Sequence, residues 1–255
     1  LTPVTTMVNE LAKSNLKTSH VLGWNLEIDQ QVAANLFIRV KAEERLGENL
    51  LLVLPDPPTL AQSKLVLSDG GTSRYRALET TVNYRPWRDS NINFSYIRSD
   101  SRGDLNTFGG NLATFEKTVI PPDRYALSRT DSPNRFLVWG DLSSFKGVML
   151  APAIDLHTGF PFAFFDADRH VPNETDFGRL PRTFSFDLGL YRDFGLRAFD
   201  RPGKLRLGLR VYNLTNHFNP RDAQLGESED QSQPVLLGYL NNAGRTYRAS
   251  VMFNF

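Results

Sequence analysis

The residues able to do acid–base, nucleophilic or metal chemistry are few and badly spaced for it. The four histidines, His20, His157, His170 and His217, stand far apart. None pairs with another at the i, i+2 or i, i+4 spacing that points two ligands from one strand or helix, so no metal site is expected. There is no cysteine, which removes thiolate nucleophiles, thiolate metal sites and disulfides. No serine, histidine and aspartate can be grouped as a charge-stabilised nucleophile, so no catalytic residues are assigned and an enzyme is not expected. The segment Asp166–Asp176 gathers four carboxylates, Asp166, Asp168, Glu174 and Asp176. Hard oxygen ligands of this kind suit Ca²⁺. The segment lacks the glycine that tightens an EF-hand loop, and a solvated acidic loop is the plainer reading, with calcium or ligand binding as the alternative. Gly70-Gly71 marks a turn rather than a phosphate loop, because no helical pattern follows it. The net charge of +1 gives no pull toward nucleic acid, and no cofactor is implied.

The elements that would carry any site follow a period of two. Tyr247, Ala249, Val251, Phe253 and Phe255 alternate with Arg248, Ser250, Met252 and Asn254. Leu205, Leu207, Leu209 and Val211 alternate with Arg206, Gly208, Arg210 and Tyr212. Phe184–Leu190, Ile92–Tyr96, Leu36–Val40 and Trp24–Ile28 repeat the pattern. The spacing predicts about nine strands, at roughly 20–30, 33–44, 73–86, 90–99, 133–141, 146–156, 182–193, 203–213 and 245–255. The apolar run Leu50–Leu54 either extends the second strand or belongs to a loop hairpin.

The connections alternate in length. Gln30–Val32, Trp87–Asp89, Leu142–Phe145 and Phe194–Pro202 are short; Arg45–Thr72, Asp100–Ser132, His157–Pro181 and Leu214–Gly244 are long. Short turns on one side and long loops on the other are the pattern of an all-β, antiparallel transmembrane barrel. Such a barrel also explains a mean hydropathy of only −0.34, since every second side chain faces a polar interior. With no run of about 18 apolar residues, no membrane-spanning helix is expected. Aromatic girdles are expected at both interfaces: Tyr84, Trp87, Trp139, Tyr191, Phe194, Phe253 and Phe255 at the short-turn ends, and Tyr75, Phe184, Tyr212 and Tyr247 at the long-loop ends. Arg206, Arg210 and Arg248 would then face the lumen, as a polar lining or an anion-attracting wall. A secreted, glycan-binding β-sandwich is the competing all-β reading. It requires the apolar faces to pack on each other.

Two stretches carry a resemblance. The end, from Tyr247 to Phe255, resembles the terminal signature of outer-membrane barrels, in which a final Phe and alternate apolar residues are read by the barrel-assembly machinery through strand addition. Leu207–Asp222, with Asn213-Leu-Thr-Asn-His-Phe-Asn-Pro-Arg-Asp, is similar to the penultimate strand of TonB-dependent receptors, in the Oar-like group. Trp24–Asp29, Asn35–Arg39, Tyr75–Glu79, Asp131–Phe136 and Thr158–Phe162 match in order, so the resemblance covers roughly residues 20–255. It implies a receptor in the cell outer membrane, in contact with its lipid, with the C-terminus periplasmic. Uptake would be energised through the TonB complex. The ligand would be a siderophore, cobalamin, a glycan or a peptide-derived compound. The family closes about 22 strands around a plug, so this chain is expected to be the C-terminal part of one barrel domain. Its plug and TonB-contact segment would lie in a missing N-terminal region, where plug carboxylates could meet Arg206, Arg210 and Arg248. A passive porin or an adhesin barrel is the alternative without TonB.

Overall fold

The computed structural model describes residues 8–10, 15–56, 64–87, 89–104, 125–143, 147–163, 177–198, 201–227 and 234–254. Its strands are β1 (Val8–Glu10), β2 (His20–Ala33), β3 (Leu36–Asp56), β4 (Lys64–Tyr84), β5 (Asn91–Asp104), β6 (Tyr125–Leu127), β7 (Asn134–Ser143), β8 (Val148–His157), β9 (Pro161–Ala163), β10 (Phe177–Arg179), β11 (Thr183–Ala198), β12 (Arg201–Tyr212), β13 (Pro220–Glu227), β14 (Pro234–Asn241) and β15 (Thr246–Asn254). The expected strands are present as a single antiparallel meander, β2-β3-β4-β5-β7-β8-β11-β12-β15, each paired with its neighbours along the path. The expected loop Arg45–Thr72 is instead a tall arm: β3 and β4 stay paired as far as Asp56 and Lys64. β1 adds to β4 in parallel along the same stretch. The connection between β11 and β12 is tighter than Phe194–Pro202, because pairing continues to Ala198 and Arg201. Small hairpins, β9–β10 and β13–β14, occupy parts of the remaining long connections.

Cross-strand register fixes which side chains share a face, since directly opposed residues point the same way. Leu205, Leu207, Leu209 and Val211 oppose Phe253, Val251, Ala249 and Tyr247. Through Leu188–Val211, Phe186–Ile154, Phe136–Leu156, Tyr96–Phe136, Val82–Phe94, Ile38–Val82 and Ile28–Val40 the same face continues across every strand to β2. It is apolar from edge to edge, and no second sheet covers it: Leu26 is 62% exposed, Ile28 61%, Leu207 42% and Val251 61%. Among the described residues the buried hydrophobic side chains are only Leu52, Ala126, Ala151 and Leu180. A sandwich would hide these positions in a core, so that reading is overturned. Soluble monomers rarely expose apolar patches beyond a few hundred Å², and a face of this extent needs an apolar solvent.

The strands are also staggered. The row Ile28–Val40–Thr80–Tyr96–Phe136–Leu156–Phe184 crosses the sheet perpendicular to the strands. It starts in the turn-side half of β2 and finishes at the second residue of β11, the loop end. That is a slip of about one to one and a half residues per strand, or a tilt of roughly 35–45° at ~3.3 Å rise and ~4.8 Å strand spacing. A barrel wall requires this slant. One local irregularity has a clear cause. Pro152 in β8 has no N–H to give to β7, and β7 carries Gly140 at that level, drawn against β5. A Cβ at Gly140 would lie 2.1 Å from the Asn91 carbonyl oxygen, so the close approach excludes a side chain.

Of the nine expected girdle aromatics that lie in described strands, four face the other way. Tyr84, Phe194, Phe253, Phe184 and Tyr247 lie on the apolar face, but Trp139 opposes Asn93, Tyr75 opposes Ser101, Tyr191 opposes Gly208, and Tyr212 opposes Thr246. They sit on the polar face, so their parity is wrong for a girdle. Trp24, by contrast, shares the apolar face near the loop end, where its indole N–H donates to Glu44 Oε2 at 3.2 Å. An amphipathic ring with one wet edge suits an interface.

Candidate functional site

The face opposite the apolar one is polar and almost fully paired. On β2 and β3, Arg39 Nε donates to Asp29 Oδ1 at 2.8 Å and lies 3.2 Å from Glu27 Oε1. Glu43 meets Lys41 at 2.9 Å and Arg45 at 3.3 Å. On β4 and β5, Glu79 accepts from the hydroxyls of Thr81 at 3.0 Å and Ser95 at 3.1 Å. Further along, Arg135 forks onto Asp155 at 3.0 and 2.7 Å, and Arg206 forks onto Asp193 at 2.6 and 2.9 Å. These pairs are exposed enough for solvent to screen them, so singly they add little to stability. Their collective effect is a wall that is hydrophilic yet close to neutral.

The arginines singled out in the sequence sit together on this wall. Arg206 opposes Asp193 and Met252, and Arg210 opposes Gly189 and Arg248. Arg206 is satisfied by Asp193. Arg210 lies over the Tyr212 ring, 5.8 Å from its centroid, and its Nε has no hydrogen-bond partner. Tyr247, Ala249, Val251 and Phe253 occupy the apolar face of β15, which pairs only with β12 among the described strands. Phe255 lies outside the described residues, as do Asp166, Asp168, Glu174 and Asp176.

At the loop end, three constructions hold the mouth of the wall. Asp131 is 1% exposed; its Oδ1 accepts the Ser101 N–H at 2.8 Å, and its Oδ2 accepts from Arg179 Nη2. Arg179 Nη1 also donates to the carbonyls of Asp131 and Gly159 at 3.0 and 3.1 Å. One buried ion pair thus ties β5, the approach to β7, the exit of β8 and β10. The second is built by asparagine amides, which copy a backbone's donor and acceptor. Asn213 Oδ1 accepts the His217 N–H and its Nδ2 donates to the His217 carbonyl, both at 3.0 Å. Asn219 does the same for Phe184, at 2.8 and 3.0 Å. The chain leaving β12 is therefore folded back on the start of β11. Asn213 tolerates its φ of 48° there because Asn is among the few residues at ease in the left-handed region. Third, Arg129 Nη2 reaches Asp222 Oδ2 at 3.3 Å, joining the segment before β7 to β13.

Within this mouth, on the polar face, lies a recess of about 250 Å³ whose lining includes Tyr75, Ser99, Ser101, Ser132, Arg135 and His157. His157 Nδ1 lies 2.8 Å from the Thr158 carbonyl, an acceptor, so Nδ1 donates there. Hydroxyls, a guanidinium and an imidazole around one small space can hold a polar ligand. They form no nucleophile–base pair. Sequence reasoning missed Asp131, Arg179 and the two asparagine clamps. An aspartate in Asp131-Ser-Pro and asparagines in Asn213-Leu-Thr-Asn could be marked as turn formers, but their partners are remote in sequence. Among the described residues no group of three or more His, Cys, Asp or Glu side chains could hold a metal ion.

No family model and no curated protein matches the sequence. Among solved structures, the chain is similar to the outer membrane transporter YddB from Escherichia coli. The TM-score is 0.61 at 13% identity, over 98% of this chain and 34% of that one. The likeness shows the fold, an arc of an outer-membrane-type barrel wall, and the chain spans about a third of the length of that transporter.

Proposed function

We propose that this chain is an arc of a transport barrel in the outer membrane, and that it takes up its ligand by TonB-coupled transport rather than acting as an enzyme. The observation that carries this reading is the two-faced sheet: one unbroken meander with an uncovered apolar face, a charge-paired polar face, turns at one end and elaborated loops at the other. Its edges support the remainder. β2 and β15 each have one neighbour among the described strands, and unpaired backbone groups in hydrocarbon cost several kcal/mol each. Further strands close the wall around a plug. The loop end faces outward and captures the ligand, drawn from siderophores, cobalamin, glycans or peptide-derived compounds. The turn end and the C-terminus face the periplasm. The alternating apolar residues of β15 are the assembly signal.

The test uses the full-length protein in living cells. Growth or label uptake that depends on this protein should fall to background when TonB is deleted, while the amount of folded barrel stays unchanged. Uptake that persists without TonB would mark the barrel as a passive pore. A C-terminal epitope tag should be unreachable by antibody until the cells are permeabilised.

A further inference from the structure

Just beyond the loop-side limit of the apolar band, the same face carries a cluster of arginines. Arg74, Arg76, Arg98 and Arg102 are in register with Leu46, Glu44, Leu78 and Arg74 respectively, which puts them on the side of Leu78 and Leu26, not on the polar wall. Two carboxylates share the cluster. Glu44 lies 2.6 Å from Arg74 and 3.2 Å from Arg76, and Asp100 lies 3.4 Å from Arg102. Arg98 donates to the Asn134 amide oxygen at 2.9 Å, a neutral partner. The cluster therefore keeps a positive surplus. Beside it lies a groove of about 590 Å³, with Trp24, Ala42 and Leu78 as apolar lining, Arg76, Arg98, Arg102 and Arg179 as cationic lining and Glu43, Glu44, Asp100 and Asp131 as acidic lining. Asp131 is paired with Arg179, and Glu43 with Lys41 and Arg45, which leaves Glu44 and Asp100 against Arg76, Arg98, Arg102 and the adjoining Arg74.

Apolar surface within the band and a surplus of guanidinium at its limit is the arrangement that an amphiphilic anion fills. We propose that this groove binds a phosphorylated glycolipid of the outer leaflet, with an acyl chain against Trp24 and Leu78 and a phosphate held by Arg76, Arg98 and Arg102. The guanidinium fork matches phosphate oxygens two at a time. The apolar lining makes the acyl chain part of the recognition, which distinguishes the lipid from free phosphate. The proposal rests on the outer-membrane reading and on its outward loop end.

Full-length protein is placed in phosphatidylethanolamine nanodiscs containing a few mole per cent of deep-rough lipopolysaccharide, and retained glycolipid is counted by native mass spectrometry after release into detergent. Wild type should retain glycolipid. The triple variant Arg76→Gln, Arg98→Gln, Arg102→Gln should retain at least tenfold less, and the matching Lys triple should recover part of the loss. Dephosphorylated glycolipid should behave with wild type as intact glycolipid does with the Gln triple, and millimolar inorganic phosphate should not displace the lipid. Equal retention by wild type and the Gln triple, indifference to dephosphorylation, or full displacement by inorganic phosphate each overturns the proposal. Heat-dependent gel mobility confirms that the triple is folded. If it is not, Arg98→Gln alone should lower retention about threefold, and no change overturns the idea. Protein that inserts but shows no preference for the glycolipid sinks this inference and leaves the outer-membrane reading standing. Protein that does not enter the bilayer at all sinks both.

Discussion

Asp131 shows how much structure one buried carboxylate can organise. With its side chain 1% exposed and Arg179's 28%, the pair is largely withdrawn from water, and removing either partner leaves the other unbalanced. Arg179→Ala should destabilise the loop end by about 3 kcal/mol, read as much faster cleavage of the loop end by protease added to the folded full-length protein. Arg179→Lys should restore little, since the contacts to the Asp131 carboxylate and to the carbonyls of Asp131 and Gly159 come from two guanidinium nitrogens and an ammonium concentrates its donors on one. Gly208 illustrates a different constraint. A Cβ there would sit 2.8 Å from Tyr191 Cδ1 and 2.5 Å from Ser250 Oγ; the ring leans over the bare backbone. Gly208→Val should cost about 1–3 kcal/mol through overpacking, seen as a lower temperature for loss of the folded gel band. Tyr191→Ala in the same chain should recover part of it.

The strands obey a parity rule that substitution can test. Val251 and Ser250 are chain neighbours on opposite faces. Val251→Arg should cost about 2–4 kcal/mol if that position lies near mid-bilayer, measured by urea titration of the full-length protein folded in vesicles. Ser250→Arg, on the polar wall, should change stability by less than about 0.5 kcal/mol. Parity also explains what the sequence could and could not convey. Where one face meets lipid and the other a polar lumen, alternation is strong, and the nine strands of the wall are legible from it. Past the bilayer both faces of a strand see the same solvent, so the alternation fades. That is why Leu50–Leu54 was ambiguous although β3 continues to Asp56. The girdle residues Trp139 and Tyr191 were placed by distance from a turn, yet their neighbours Val138 and Leu190 hold the apolar parity. Ion pairs such as Asp193–Arg206 and Asp131–Arg179 were invisible for another reason. They depend on register and on loop return, and neither leaves a local mark in the chain.

At the scale of the molecule, the wall formed by the described strands has two open edges and few buried apolar side chains, so its stability belongs to the closed barrel and its bilayer. Spin labels at Leu207 and Val251 of the full-length protein should be quenched by lipid-soluble reagents, and labels at Arg206 and Ser250 only by water-soluble ones; the reverse pattern would turn the sheet inside out. The arm formed by β3 and β4 rises about 25 Å beyond the wall, and its pairing slips between Gly47 and Leu52, where Asn49 has a φ of 53°. A bulge of this kind interrupts the ladder and bends the strand, so a force on the paired stretch of the arm is met first at its foot, ahead of the neighbouring staves.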